Sequence, residues 1–270
     1  MLSVLRHYGS VAACYLRLTF QQQLEYPLFL VSWMLMIPIQ YFAGIYLLKV
    51  IIDHFRHLNG WTYPDLVFIF GLGLLSHGLM VVFFINSWMI GRMVIDGTFD
   101  RLLLRPMNVF FQLIASYFNF IGLIDLIPGI IIFLYACSLV GFEWTLPNIL
   151  KLVLILAGAV LIRAALFVMI GSIAFWTKKN AAVHNFALVI LERTTMYPLN
   201  LYPYLIQALF TFVIPIGFIS FYPASAFLDR DRFVLPFDLA ILTPVIGLVF
   251  YGLSQLIFNW GLRKYESAGT

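Results

Sequence analysis

Apolar positions along the chain change period several times, and each change marks an expected element. Between residues 2 and 20 they form a helical stripe, Val4/Leu5, Tyr8, Val11/Ala12 and Tyr15/Leu16, with Arg6, Ser10 and Arg17 off it. This spacing predicts a one-sided helix. Just ahead of a long apolar run, it suits a helix lying in a membrane surface; a helix packed on a neighbouring element shares the periodicity. From Glu25 to Lys49, 23 residues pass without Asp, Glu, Lys or Arg, and from Asp65 to Arg92, 26 do. A crossing helix needs roughly 20 mostly apolar residues, whereas barrel strands alternate over about 10. The pattern therefore predicts an all-α, polytopic membrane protein.

Six crossings are expected, over about 27–48 (with Pro38 as a bend), 66–90, 108–140, 149–176, 203–222 and 237–260. The third is read as one long helix holding Asp125, with Pro128 as its kink. The fourth holds Arg163. The turn between them, GFEWTLPN at 141–148, is rich in turn formers. A polar segment from Lys178 through Asn180 and His184 to Glu192 and Arg193 reads as an interfacial helix beside the fifth span. Trp61, Trp144, Trp176 and Trp260 fall near span ends, where interfacial aromatics belong. No repeat of 20–50 residues is visible.

Composition agrees with the pattern. The chain is 63% hydrophobic and only 10% charged, against about 45–50% and about 25% for soluble domains. Its formal charge of +4 is no nucleic-acid signature; in a membrane protein the placement of Lys and Arg matters. The N-terminus, the 91–105 loop, the 178–193 segment and the tail carry ten of the 16, and the opposite loops carry five, with Arg163 inside a span. That bias predicts both termini and the 91–105 loop in the cytoplasm. The first 25 residues lack an apolar run and a small-residue cleavage site, so the first spans are expected to act as the targeting signal. Cys14 and Cys137 read as small apolar residues.

One stretch stands out, VIDGTFDRLLLRP at 94–106. Arg92 and Asp96 are i,i+4 and can pair. Asp96 and Asp100 share that spacing and repel unless a cation lies between them. Arg101 and Arg105 repeat it on another face, and Phe99, Leu102 and Leu103 make an apolar patch. Pro106 ends the element. A topology-setting loop accounts for the arginines but not for the aspartates. A docking helix for a soluble partner accounts for both, with mixed charge for orientation and Phe/Leu for buried contact.

The order GRMVIDGTFDRLLLRPMN resembles the loop after the second span in bacterial ABC transporter permeases of the type-2 exporter class, where G-x-x-D-x-x-L-L-R-P recurs. Here it is Gly97, Asp100, Leu103, Leu104, Arg105 and Pro106. Glu25-Tyr26-Pro27, Tyr197-Pro198-Leu199-Asn200, Phe212-Val213-Ile214-Pro215 and Phe221-Tyr222-Pro223-Ala224 are similar to the same family, in the same order. The resemblance implies a single transmembrane domain over 1–270 with an interfacial helix at 1–25, a cytoplasmic coupling helix at 91–106 and an outward re-entrant loop at 213–236. It implies a bacterial inner-membrane half-transporter, paired with the same or a sister permease chain. A separate cytoplasmic ATPase would bind the ATP and Mg and meet Asp96, Phe99, Asp100, Arg101, Leu103 and Arg105.

No G-x-x-x-x-G-K-[ST] phosphate loop occurs in the sequence, so ATP-driven transport would need another chain to bind nucleotide. Asp125 and Arg163 are expected at similar depth on neighbouring helices, as a buried ion pair or as lining of the substrate path, since a lone charge there costs about 2.5–3.5 kcal/mol. Asp53, His54 and His57 cluster weakly and lack the further ligands a metal needs; no metal, cofactor or catalytic residue is expected in this chain. The alternatives are an ion- or proton-coupled carrier or channel without an ATPase, built around Asp125, and a membrane scaffold that recruits a protein through 91–106.

Overall fold

A computed structural model describes residues 2–25, 27–55, 58–178, 181–229 and 239–266. The side chains of residues 2–8, which carry the first half of the N-terminal stripe, lie outside this description. So do Tyr26, Arg56, His57, Lys179 and residues 230–238, the end of the expected re-entrant segment. The regular elements among the described residues are helices, with α1 Leu2–Leu24, α2 Pro27–Phe55, α3 Tyr63–Phe84, α4 Asn86–Ile95, α5 Asp100–Leu103, α6 Val109–Ala115, α7 Gly122–Val140, α8 Leu146–Ser172, α9 Ala174–Thr177, α10 Ala181–Met196, α11 Tyr204–Ala208, α12 Phe221–Phe227 and α13 Thr243–Leu262. Five stretches are long and apolar enough to cross a membrane: Pro27–His54, Tyr63–Phe84, Gly122–Val140, Leu146–Thr177 and Leu239–Leu262.

Helix α3 is the centre. It is apolar on all sides, as a fully surrounded helix must be, and Leu66, Val67, Phe68, Ile69 and Leu72 have no exposed surface. Its start is fixed locally: the Thr62 backbone N–H donates to the Asp65 carboxylate at 2.8 Å, the reciprocal half of a capping box. After a single turn residue, Ile85, α4 follows α3 at a bend: the rings of His77 and Trp88 lie 5.9 Å from each other, where a straight helix would set the two positions about 16 Å apart. This bent rod carries the chain out to the charged loop.

Against this rod packs α7, and α8 packs on both α3 and α13. Lipid gives no hydrophobic drive for helix pairing, so close backbone approach must supply it. The α8–α13 crossing shows how close. A Cβ on Gly158 would lie 2.5 Å from the Thr243 carbonyl oxygen, and one on Gly247 would lie 2.5 Å from the Gly158 carbonyl oxygen.

Three expected elements differ. The third crossing is broken: α6 ends at Ala115 and α7 starts at Gly122. Irregular backbone at membrane depth survives only where its polar groups are satisfied. Here the Gln23 side chain of α1 does this twice, donating to the Phe118 carbonyl at 3.1 Å and accepting from the Ile121 N–H at 3.1 Å. Asn86 donates to the Leu113 carbonyl at 2.7 Å, and the Asn119 N–H donates to the Val82 carbonyl at 3.1 Å. The second half of the N-terminal stripe accordingly ends in polar groups, since Thr19 and Gln23 are buried while Leu16, Leu18 and Phe20 are exposed.

The 203–222 stretch is likewise not one crossing helix. Residues Tyr204–Val213 form a short apolar helix that ends in a wider turn, about 15 Å long, followed by Pro215, a tight turn at Ile216–Phe218 and α12. The segment embedded beside α3, α4 and α8 is instead α10. Finally, Trp61 is not interfacial. It is 2% exposed, donates from Nε1 to the Asn200 side chain at 3.1 Å, and packs on Phe221. Trp144, Trp176 and Trp260 are exposed near helix ends, as expected.

Candidate functional site

The 91–106 stretch is not a single helix. After α4, Gly97 takes a left-handed φ of +68°, which a residue with a Cβ adopts only at a cost. This turns the chain so that Phe99 points back into the protein. Phe99 has no exposed surface. Its ring centroid lies 5.2 Å from that of Phe175, 5.2 Å from Tyr265 and 6.2 Å from Phe258. Leu102 joins it, together with Ile90, Val94, Phe110, Leu113 and Val168, in a second core separate from the main one. The expectation that Phe99 offers its ring to a partner is thereby corrected: it anchors the loop from within.

The remaining predicted residues divide by exposure. Asp100 accepts a hydrogen bond from the Tyr265 hydroxyl at 2.8 Å. Arg105 donates to the Tyr15 hydroxyl of α1 and lies 5.7 Å from that ring centre. Arg92 and Asp96 form the expected pair at 3.3 Å, both open to solvent. Arg101, Leu103, Leu104 and Arg105 face outward from the loop; Leu104 is 84% exposed. The sequence reading passed over Leu104 as a contact residue, although its place in the L-L-R-P run was a signal. Burial of the Tyr265 phenol pushes it up to about 12, with the hydrogen bond to Asp100 and that carboxylate's charge adding to the rise.

The second feature is a cavity of about 1000 Å³. It runs from Arg92 and Asp96 at the loop end to Asp125 and Arg163 within the bundle, between α2, the α3–α4 rod, the start of α7 and α10. Asp125 does not sit mid-helix but in the first turn of α7, where the helix dipole favours an acid. The break at 116–121 creates that position. At 1.5 Å per residue, Asp125 lies about 23 Å from the end of α7 and Arg163 about 26 Å from the start of α8, so the two are at matching depth as expected. No ion pair joins them. Asp125 accepts from the Tyr41 hydroxyl at 3.2 Å. Arg163, 3% exposed, donates to the Ser76 hydroxyl at 2.9 Å, the Gly73 carbonyl at 3.2 Å and the Thr195 hydroxyl at 3.3 Å.

On α10, expected as an interfacial helix, Glu192 and Arg193 line this cavity, and their neighbours Leu191, Thr194 and Thr195 are buried in the bundle. Sequence reasoning also missed Trp88, His77 and His184. The Trp88 ring lies 5.9 Å from His77 and 6.3 Å from His184. Trp88 Nε1 and His184 Nδ1 are buried without a hydrogen-bond partner. Only their position near Arg163 gives them meaning, and no local pattern announces it. Among the described residues no three His, Cys, Asp or Glu side chains gather as a metal site.

Over residues 29–269 the chain matches the family described as ABC-2 family transporter protein. No curated protein and no solved structure matches it. The match spans most of the chain, and together with the helices above it places the protein in that family: a multi-pass membrane permease component of an ABC transporter.

Proposed function

We propose that this chain is the membrane half of an ATP-driven exporter whose nucleotide-hydrolysing engine is a separate cytoplasmic ABC ATPase, which binds ATP and Mg. The loop from Asp96 to Pro106 is the seat for that ATPase. The observation carrying this reading is the division of the loop: Arg101, Leu103 and Leu104 stand outward while Phe99 and Leu102 fix them from beneath. A push on such a patch is passed into the α3–α4 rod and α13 rather than absorbed by a flexible tether. The bilayer is the bacterial inner membrane, with both termini and the loop in the cytoplasm, as the ten-to-five bias of Lys and Arg favours. The segment 213–236, described as far as residue 229, is the outer re-entrant loop. A second permease chain, the same or a sister, completes the path; the long apolar face of α2, with Leu28, Leu35, Met36 and Ile39 all exposed, would meet it or lipid.

Co-purification tests this. The tagged chain isolated from its native membrane in mild detergent brings an ATPase with it, and Leu104→Asp with Arg101→Glu releases that partner while leaving the permease folded. Retention of the ATPase by the double variant would remove the loop from the contact. A carrier driven by ions or protons is the second reading, favoured by Asp125, which meets only the Tyr41 hydroxyl in an open cavity. It requires transport by the permease alone across a proton gradient, with Asp125→Asn abolishing it.

A further inference from the structure

The cavity's inner end carries a buried guanidinium that forms no ion pair among the described residues. Arg163 is almost wholly buried, and all three of its acceptors are neutral: two hydroxyls and a carbonyl. A guanidinium has five N–H groups. Three are spent on those bonds, and Nη1 has no acceptor among the described residues, on a side chain that lines the cavity. A buried cation without an ion pair is costly. Asp125 is turned to Tyr41, and Glu192, on the cavity wall, acts on the guanidinium's charge from a distance without forming an ion pair with it. Trp88 Nε1, a donor only, is buried and unpartnered on the same wall.

We propose that this corner binds the acidic head of the transported molecule, a carboxylate, phosphate or sulfate. Its apolar body then lies along Trp33, Ile37, Leu47, Leu74 and Val81, which line the rest of the cavity. The substrate class is an amphipathic anion. About 1000 Å³ is the upper end of the range for small-molecule sites, roughly 300–1000 Å³, which suits one head and one chain or ring system. The Nη1 edge gives the charge-assisted bond, and Trp88 gives a second donor. The assignment rests on the transport reading above, because it makes this cavity the substrate's route.

The test uses the purified full chain in a neutral maltoside, with tryptophan fluorescence as readout because Trp33 and Trp88 line the cavity. Dodecyl phosphate is titrated against dodecyltrimethylammonium. Wild type binds the phosphate at least tenfold more tightly than the ammonium. Arg163→Gln removes that preference, and Ser254→Ala, which loses a bond to the Tyr251 carbonyl on α13 away from the cavity, keeps it. Equal affinities in wild type, or a preference for the ammonium, overturn the proposal even where Arg163→Gln does not fold. An unchanged preference in a folded Arg163→Gln overturns it as well. Repeating the titration in phosphatidylcholine discs with and without phosphatidylglycerol separates sources. Loss of dodecyl phosphate binding in the anionic discs assigns the site to a lipid head, and retention assigns it to a free amphiphile. Anion preference with no co-purifying ATPase overturns the coupling reading alone; a co-purifying ATPase with no anion preference overturns the substrate class alone.

Discussion

Two aromatic-rich regions meet at the loop end of the α3–α4 rod and are built in opposite ways. Around Phe99 the rings of Phe110, Phe175, Phe258 and Tyr265 close on one another edge to face, and among the described residues no charged side chain is buried in that cluster. Around Trp88 the rings line an open cavity with Arg163, Asp125 and Glu192 on its walls. The first region has its packing completed within the chain and can transmit force. The second leaves Trp88 Nε1 buried without an acceptor beside an open space. A transport subunit needs both, and here they share α4: Ile90 and Val94 face the dry cluster while Trp88, Met89 and Arg92 face the cavity.

Truncating one ring in each region tests the contrast most sharply. Phe99→Ala leaves a void in a closed cluster and costs about 3–5 kcal/mol, read as a large fall in the thermal midpoint followed by size-exclusion in detergent. Trp33→Ala, at a position 42% exposed on the cavity wall, shifts that midpoint far less; equal shifts would mean the cavity is as tightly packed as the cluster. Next in size is Gln23→Leu. It strips partners from two backbone groups of the 116–121 break, at about 1–3 kcal/mol for each group left buried and unpaired. Hydrogen exchange at Ile121 rises in the variant, whereas unchanged protection there would show that the break holds itself.

Tyr265→Phe removes the hydroxyl that donates to Asp100 and costs about 1 kcal/mol. Its pH dependence has a fixed sign. A phenol raised from its ordinary value near 10 to about 12 adds stability that is fully present below pH 10 and fades as pH rises through 12. Wild type and Tyr265→Phe should therefore differ at neutral pH and converge near pH 12, and a constant gap would separate the bond from the titration. The smallest effect belongs to Arg92→Ala. An exposed i,i+4 pair contributes about 0.3–0.5 kcal/mol, so the midpoint barely moves, and a large fall would show that Arg92 does more for the cavity mouth than pair with Asp96.

Much of the architecture was legible because its signals are local. Long uncharged runs mark α2 and α3, long apolar runs mark α7 and α8, and the Thr62/Asp65 cap, Gly97 and Pro106 sit where the chain starts or turns. What escaped depends on partners distant in sequence. S-Y-F-N-F-I at 116–121 is apolar enough to pass as helix, and its break is held by a glutamine 95 residues away. That Glu192 and Arg193 line a cavity also escaped, because a one-dimensional reading cannot tell charges that face a cavity from charges that face water. Phe99 looked like a contact for a partner since nothing near it in sequence reveals Phe175 and Phe258. Of the site, Asp125 and Arg163 could be found from the cost of charge in lipid, but not that their partners would be Tyr41, Ser76 and Thr195 instead of each other.

The glycine contact between α8 and α13 has a mechanical consequence. With backbone against backbone at Gly158 and Gly247, the crossing is a fulcrum with no compressible padding. Phe258, in the dry cluster, lies about 16 Å along α13 from that point, and Arg163 about 8 Å along α8. If the pair tilts about it as one body, a 2 Å stroke at the loop becomes about 1 Å at the guanidinium by the same rise per residue. That geared-down stroke trades distance for force, and a displacement of about 1 Å is enough to loosen a hydrogen bond of ordinary length.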